Sequence, residues 1–506
     1  MQVATVEELE EKNLQLLVQV NSQKTQISHL KEQVEWFRKQ VFGQRSERIV
    51  DTLDNKQQLY FDGFESSSSP AEEKTVAAHK RKKPKRKGED KISLPPDLPV
   101  EQVILDIPEE QKVCKETGKP LVQMGEERSY KLAFRPGSYF LKEFIRPKYA
   151  VPDEGILTAD MPDSIISCCR ADESFLADLL VRKYADHLPL YRLCEIYSRE
   201  GIGISRQLLS QWVIKLGQGL RPLYKALRAK ILKSPSVFID ETPIDLQSPG
   251  RGKCQKAYMW VVVGGNSADP PCRYYDFRLS RQHTHALDIL SDYQGVFHSD
   301  KYGAYITLAA HQGKIWCPCW SHIRRKFVEA EAGSPELRRW ILRKIRYLFM
   351  LERVAWARDE EERLKIRSET EESIIDEIIA RIKSELESGT HLPQSKLRQA
   401  LHYTYGLIPY LKNYLEHPHA RLDNNVAERA IRPLALGRKN WLFMGSHEGG
   451  KSAAVVMSLV QTCRAQGINP REYLEDVLRR LMSHPASKVS ELLPEAWAKA
   501  RADSTS

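Results

Sequence analysis

At 506 residues the chain is long enough for several domains and at least one sizeable core. Lysine and arginine (77) outnumber aspartate and glutamate (67), which favours a polyanionic partner. No apolar stretch reaches the roughly 18 residues of a membrane span. Nine cysteines, mostly without paired spacing, and no recognisable signal peptide together predict a reduced, cytoplasmic setting with no membrane partner.

Residues 1–45 carry a heptad repeat. Val6, Asn13, Val20, Ile27, Val34 and Val41 fall at a positions, and Leu9, Leu16, Gln23, Leu30 and Phe37 at d. Mostly β-branched a residues with one asparagine predict a parallel two-stranded coiled coil, and so a homodimer or higher homo-oligomer. A single amphipathic helix packed on its own domain is the alternative. Residues 46–91 form a polar, Ser-rich linker ending in the basic run Lys80, Arg81, Lys82, Lys83, Pro84, Lys85, Arg86 and Lys87. Seven cations in eight residues repel one another and stay extended until they meet phosphates, or else form a solvated tail or targeting signal.

Residues 92–160 predict a small β-rich module, with strands such as Val103–Ile107 and Tyr139–Ile145. Cys114 has no partner cysteine two or three residues away, so zinc is not expected there. Residues 161–233 read as helical. A helix over Leu190–Glu200, a turn over Gly201–Ile204 and a helix capped by Ser205 have helix-turn-helix spacing. Arg206, Gln207, Ser210 and Gln211 would face a DNA groove. Ordinary helix packing gives the same pattern.

Residues 234–450 alternate strand and helix, the mark of an α/β domain. Strands are predicted at Val237–Ile239, Tyr258–Val263, Arg273–Phe277, Val296–Ser299 and Lys314–Cys317, and a helix over His283–Tyr293. Residues 335–415 read as a charged helical insertion, and 451–506 as C-terminal helices, one started by Pro470. Two short apolar strands end in aspartates, Asp240 and Asp300, and Glu428 lies in the second turn of a predicted helix. A carboxylate at the end of a buried strand is costly unless compensated, for instance by a divalent cation. Each acid alone is more simply a surface or capping residue. Glu241 and Asp245 are near enough to Asp240 to assist it.

These motifs resemble those of the transposases of the insertion sequence 66 family, in the DDE, ribonuclease H-like group. The resemblance rests on Phe238-Ile-Asp-Glu-Thr242, His298-Ser-Asp-Lys-Tyr302, Cys319-Trp-Ser-His-Ile-Arg-Arg-Lys-Phe327 and Asn424-Asn-Val-Ala-Glu-Arg-Ala-Ile-Arg-Pro433. Gly437-Arg-Lys-Asn-Trp-Leu-Phe-Met-Gly-Ser446, Lys183-Tyr-Ala-Asp-His-Leu-Pro-Leu-Tyr-Arg192 and Phe42-Gly-Gln-Arg-Ser-Glu47 add to it, in the same order along nearly the whole chain. Against the family pattern, the module around Cys114 lacks the further cysteines of its zinc site, which implies a degenerate module folding without zinc.

The resemblance implies a multidomain α/β protein with a ribonuclease H-like catalytic domain. It implies metal-dependent cleavage and strand transfer at the ends of an insertion sequence. Asp240, Asp300 and Glu428 would hold two Mg²⁺ (or Mn²⁺) ions, Asp240 bridging both. Arg324, Arg325, Lys326, Arg429, Arg432, Arg438 and Lys439 would grip phosphates flanking the cut in double-stranded DNA, or else form a solvated charged face. His322 would support the site or, with Cys319 and Cys317, form part of a metal site. Accessory proteins of the same element and association with the nucleoid belong to the same expectation. A nuclease of the same fold that cuts without joining, and a non-enzymatic DNA-binding regulator, are the competing readings.

Overall fold

The computed structural model describes residues 98–108, 122–151 and 155–503, with short gaps at 136, 249–252, 266–270, 312 and 332–333, together with Leu94, Pro96 and Lys112. The expected coiled coil, the linker with its basic run, and Cys114 lie outside the described residues. Among the described residues no helix is long and apolar enough to cross a membrane. The chain divides at Gly88 into two units, and the following account concerns the second, Glu89–Ser506. It is multidomain α/β in class, with two mixed sheets and many helices.

The first sheet is built on β3 (Ser138–Val151). The long strand β2 (Val122–Arg135) runs antiparallel along one edge, and β1 (Val100–Ile104) and β4 (Gly155–Thr158) share the other. The strand expected over Val103–Ile107 starts and stops earlier. Asp106 accepts a hydrogen bond from the Ile107 amide at 2.8 Å, a local bond that competes with the ladder. β2 was not expected, because much of it is polar and exposed. Among the described residues its buried apolar side chains are Leu132, Ala133 and Phe134 at its far end, beside buried Lys131.

Those three residues dock the sheet on helix α1 (Glu173–Tyr184). Buried Asp172 caps this helix and receives Arg479 from the C-terminal region at 2.7 Å. Burial opposes the Asp172 charge, but Arg479, Ser174 and Lys142 hold its carboxyl well below the usual range. Helices α2 (Leu190–Arg199) and α3 (Arg206–Gly219) follow, then α4 (Arg221–Ile231). The turn between α2 and α3 uses Gly201 at φ +73°, and Ser205 Oγ accepts from the Leu208 amide at 3.2 Å. The capped start after Ser205 lies where the sequence places it.

The second sheet is six-stranded. β5 (Ser236–Gln247), β6 (Cys254–Gly264) and β7 (Cys272–Arg278) are antiparallel neighbours. β8 (Gly295–Ser299) and β9 (Lys314–Pro318) extend the other side in parallel, giving the order β7-β6-β5-β8-β9. The helix expected over His283–Tyr293 is shorter, α5 (His283–Ile289), and α6 (Gly303–Ala309) follows β8. Buried Phe238, Ile239, Trp260, Tyr275, Phe297 and Trp316 fill the sheet's core.

β5 does not stop at Asp240. It runs to Gln247, with Ile244 and Leu246 buried and Pro243, Asp245 and Gln247 exposed. Proline reads as a breaker in sequence, but it sits on β5 where the parallel partner β8 has already ended, at Phe238, so that edge loses no ladder bond to it.

After α7 (Trp320–Glu329) comes the insertion: α8 (Pro335–Ala355), α9 (Glu360–Ile366), a π-helical stretch (Arg367–Glu371), α10 (Glu372–Glu387) and α11 (Lys396–Tyr405). The wide π turn brings Arg367 into the interior. There it forms a two-pronged pair with Glu352 at 2.6 and 2.9 Å, and donates to the carbonyls of Tyr414, His417 and Ala420 at 2.8 Å each. The segment leaving the insertion is thereby fixed before it enters α12 (Asn425–Trp441).

β10 (Phe443–Met444) pairs with the far end of β5, and α13 (His447–Ala465) follows. Helix α13 is buried along most of its length and lies against β7. Its Ser458 and Thr462 hydroxyls accept from the amides of Tyr275 and Arg273 at 2.9 and 3.0 Å. Gly450 lets it approach, since a Cβ there would meet the Phe277 ring at 2.6 Å. The domain boundary expected at residue 450 falls inside this helix. Helices α14 (Pro470–Arg480) and α15 (Pro494–Asp503) complete the chain.

Candidate active site

Asp240 lies two residues beyond the last β5–β8 pair, so the parallel edge of β5 is open beside it. Asp300 directly follows β8, and its carboxylate accepts from the Tyr302 amide at 3.0 Å, an Asx turn into α6. Glu428 closes the first turn of α12 rather than lying in the second, because the helix begins at Asn425. Asn424, its N-cap, makes no side-chain capping bond. Asp423 accepts from the Asn425 amide at 3.1 Å instead, and Asn424 Nδ2 donates to the Ile239 carbonyl at 2.9 Å. That bond ties the start of the Glu428 helix to the residue before Asp240.

Asp300 and Glu428 act on Asp240. Burial raises the Asp240 carboxyl well above its usual range, and Glu241, Asp300 and Glu428 add to the rise. Glu428 Oε1 is buried and has no hydrogen-bond partner. Its neighbour His322 Nε2 is 3.7 Å away, too far for a hydrogen bond, and Arg325 Nη2 is 3.8 Å from Oε2. A buried Asp240 that feels the charges of Asp300 and Glu428, with one unsatisfied Glu428 oxygen, offers hard-oxygen donors that suit a divalent cation.

Glu241 is held differently. It accepts from the buried Tyr305 hydroxyl and pairs with Arg281 at 2.5 Å. Burial raises its carboxyl, with the Tyr305 hydrogen bond and Arg281 opposing. Asp245 is exposed at the far end of β5, beside Phe443.

Cys319, His322 and Glu428 gather ligand atoms within 4.8 Å of one another. Cys319 Sγ accepts from the Asn424 amide at 3.2 Å, and burial pushes its thiol up to about 12. Burial lowers the His322 imidazole, with Glu428 and Asp300 opposing. Cys317 is buried in β9.

The expected phosphate-gripping cations divide. Arg324, Arg325 and Lys326 are exposed on α7, and Arg429, Arg432 and Lys439 are exposed on α12. Arg438 instead donates to Thr242 Oγ1 at 3.3 Å and to the Pro243 carbonyl, joining α12 to β5. Arg206, Gln207 and Gln211 are exposed on α3 and line a separate groove.

His298, two residues before Asp300, bridges three segments of the fold. The Arg421 amide can only donate, so it reaches an unprotonated Nε2 at 2.8 Å, and Nδ1 carries the hydrogen toward the Val237 carbonyl at 3.2 Å. The ring stacks on Phe238 with centroids 4.3 Å apart. Burial lowers its pKa to about 3. A neutral histidine thus joins β5, β8 and the segment that leads to Glu428.

The chain is similar to three groups of known sequences. The model described as Transposase IS66 family matches residues 169–452, that described as IS66 C-terminal element matches 458–494, and that described as Transposase C of IS166 homeodomain matches 29–103. In Sinorhizobium fredii, the uncharacterized protein y4qI is 32% identical over 470 residues, covering 89% of this chain and 86% of its own. The uncharacterized protein y4jD of the same organism is 32% identical over 423 residues, covering 80% of this chain and 81% of its own. With more than half of its length under one family model, and the motifs of that family at the site just described, the chain belongs to the IS66 family of transposases.

Proposed function

We propose that the chain is a DDE transposase that binds the ends of an insertion sequence and catalyses DNA cleavage and strand transfer at Asp240, Asp300 and Glu428. The observation that carries this is the convergence of those three acids, from two adjacent parallel strands and the start of α12, in a family of transposases. The strand order β7-β6-β5-β8-β9, antiparallel then parallel, supports a ribonuclease H-like catalytic domain.

The donors fit Mg²⁺ or Mn²⁺, since three carboxylates offer oxygen only and one oxygen has no other partner. Two such ions would be held by Asp240, Asp300 and Glu428, and when bound they supply an activated nucleophile and a stabilised leaving oxygen. The chain's own residues do the remaining work. Asn424 and His298 hold the acids in register, and Tyr305 and Arg281 keep Glu241 occupied beside Asp240. Exposed Arg324, Arg325 and Lys326 offer cations beside the acids to the DNA backbone. The exposed residues of α3 read sequence, the basic run of 80–87 adds affinity, and the heptads of 1–45 pair protomers.

The test is incubation of purified protein with element-end DNA and Mg²⁺, mapping nicks and joined products. Asp240→Asn, Asp300→Asn and Glu428→Gln should each abolish cleavage and retain DNA binding. Cleavage surviving in the Asp240 or Asp300 variant overturns the assignment. Cleavage without joined products assigns the chain to a nuclease instead.

A further inference from the structure

The segment Asn440–Ser446 lies at the end of the Gly437–Ser446 motif and takes no part in the carboxylate site. It lines a groove of about 1130 Å³ together with Arg206, Gln207 and Gln211 of α3. The charged residues lining the groove are Lys183 and Arg206, and no carboxylate lines it. Its lining is mostly apolar, and its polar groups are those two cations with the amides of Gln207, Gln211, Gln247 and Asn440 and the hydroxyls of Ser210 and Ser446.

The rim is unusual. Leu442 has φ +62° and ψ −52°, close to the strained γ-turn conformation, which suits glycine and is costly for leucine. Its side chain is 63% exposed, and the neighbouring Phe443 is 41% exposed. Water does not repay a strained, exposed leucine, whereas an apolar or aromatic occupant would. The segment is also rigid. The Leu442 amide donates to the Arg438 carbonyl at 2.9 Å, and Phe443 and Met444 pair with Asp245 and Leu246. Trp441 lies so close to Gly437 that a Cβ there would sit 2.7 Å from its Nε1.

We propose that Leu442 and Phe443 form an apolar wedge that enters the base stack of bound DNA and holds one base unpaired, while the groove takes the neighbouring duplex. This rests on the reading above that the chain acts on DNA. Leucine and phenylalanine inserted between base steps unstack and kink a duplex, and an aromatic face stacks on the freed base without sequence preference. The groove's charge is complementary to phosphate. Phe443 pairs with Asp245, five residues along β5 from Asp240. At a strand rise of about 3.4 Å per residue that is about 17 Å, or about five base steps. The wedge is thus fixed to the strand that carries the first catalytic acid, and the distortion falls close to the cut.

The experiment uses the full-length protein and two short duplexes, one fully paired and one identical but for a single bulged 2-aminopurine. The wild type should bind the bulged duplex about tenfold more tightly, the size of one stacked base, and change the 2-aminopurine fluorescence. The double variant Leu442→Gly/Phe443→Ala should lose both the preference and the fluorescence change. Glycine suits the φ at 442, so this variant should fold. Leu436→Ser, exposed on α12 but not lining the groove, should keep both. Salt-dependent binding of the paired duplex with no preference for the bulge overturns the wedge and leaves the transposase reading standing. No binding of either duplex overturns both. If the double variant loses self-association in sedimentation while keeping the preference, the rim contacts a second copy and the wedge is overturned.

Discussion

Asn424 Nδ2 donates to the Ile239 carbonyl at 2.9 Å, across 185 residues of chain, and sets the Glu428 helix against the strand of Asp240. Asn424 is 1% exposed, so the carbonyl has no water to replace it. Asn424→Ala should cost about 1–3 kcal/mol of stability, the penalty of an unsatisfied buried group. It should also lower the cleavage rate at saturating DNA more than it weakens DNA binding. Chemical denaturation and single-turnover cleavage measure the two effects, and an unchanged rate would remove Asn424 from the positioning role.

His298 makes stability depend on pH. Its folded pKa of about 3 is below the ordinary value of 6.5, so the unfolded chain binds the proton more readily. The contribution is therefore full above pH 6.5 and is lost as pH falls toward 3. At 1.36 kcal/mol per unit, the wild type should lose about 2 kcal/mol between pH 7 and pH 5 on this account. His298→Gln should lack that part of the slope in urea unfolding at the two pH values.

Asp240 has the opposite sign. Its carboxyl is raised above the ordinary 3.8, chiefly by burial and then by Glu241 and Asp300. The folded chain keeps this proton longer, so the stability linked to it is full at low pH and declines as pH rises above 3.8. Asp240→Asn should therefore raise the metal-free Tm at pH 7.5 while abolishing cleavage. Added Mg²⁺ should raise the Tm of the wild type more than that of the variant, as mass action requires of a ligand bound to the folded state.

Arg367 and Glu352 form a buried pair in the insertion, and the same guanidinium holds three carbonyls of the segment leading to Glu428. Arg367→Leu should cost about 3–5 kcal/mol, because it leaves Glu352 charged and buried. Arg367→Leu/Glu352→Met should recover much of that loss in denaturation. Hydrogen exchange of residues 414–424 should remain faster in both variants, since the carbonyl bonds are gone.

The N-terminal third is tested by neutralising the cations of residues 80–87 to glutamine. Affinity for all DNA should fall alike, and the slope of log affinity against log salt should flatten. A change in sequence preference instead would assign the run to base readout.

The sequence revealed what local pattern encodes. The apolar run of β7, the Ser205 cap and the proline start of α14 lie within a residue or two of where they were expected, and β6 contains its expected run but begins four residues earlier, at Cys254. It misplaced what neighbours decide. β5 continues past Pro243 because of which edge β8 leaves open, and that edge is a property of the sheet. Asn424 was visible only as a capping residue, since nothing near it in sequence shows that Ile239 is its partner. Arg367 reads as one more charge in a charged helix until the π turn brings it inward. For the acids, the resemblance named Asp240, Asp300 and Glu428. Their mutual effect on the Asp240 carboxyl, and the way His298 braces them, are three-dimensional facts.

β7 is an edge strand of the six-stranded sheet, and the hydroxyls of Ser458 and Thr462 take up its outward amides at Tyr275 and Arg273. An edge satisfied by side chains of a late helix is a template for aggregation whenever that helix is missing. A chain cut short after residue 452 retains all three acids yet leaves that edge bare. Such fragments should pair edge to edge with one another and precipitate, which light scattering of the fragment beside the full-length chain would measure.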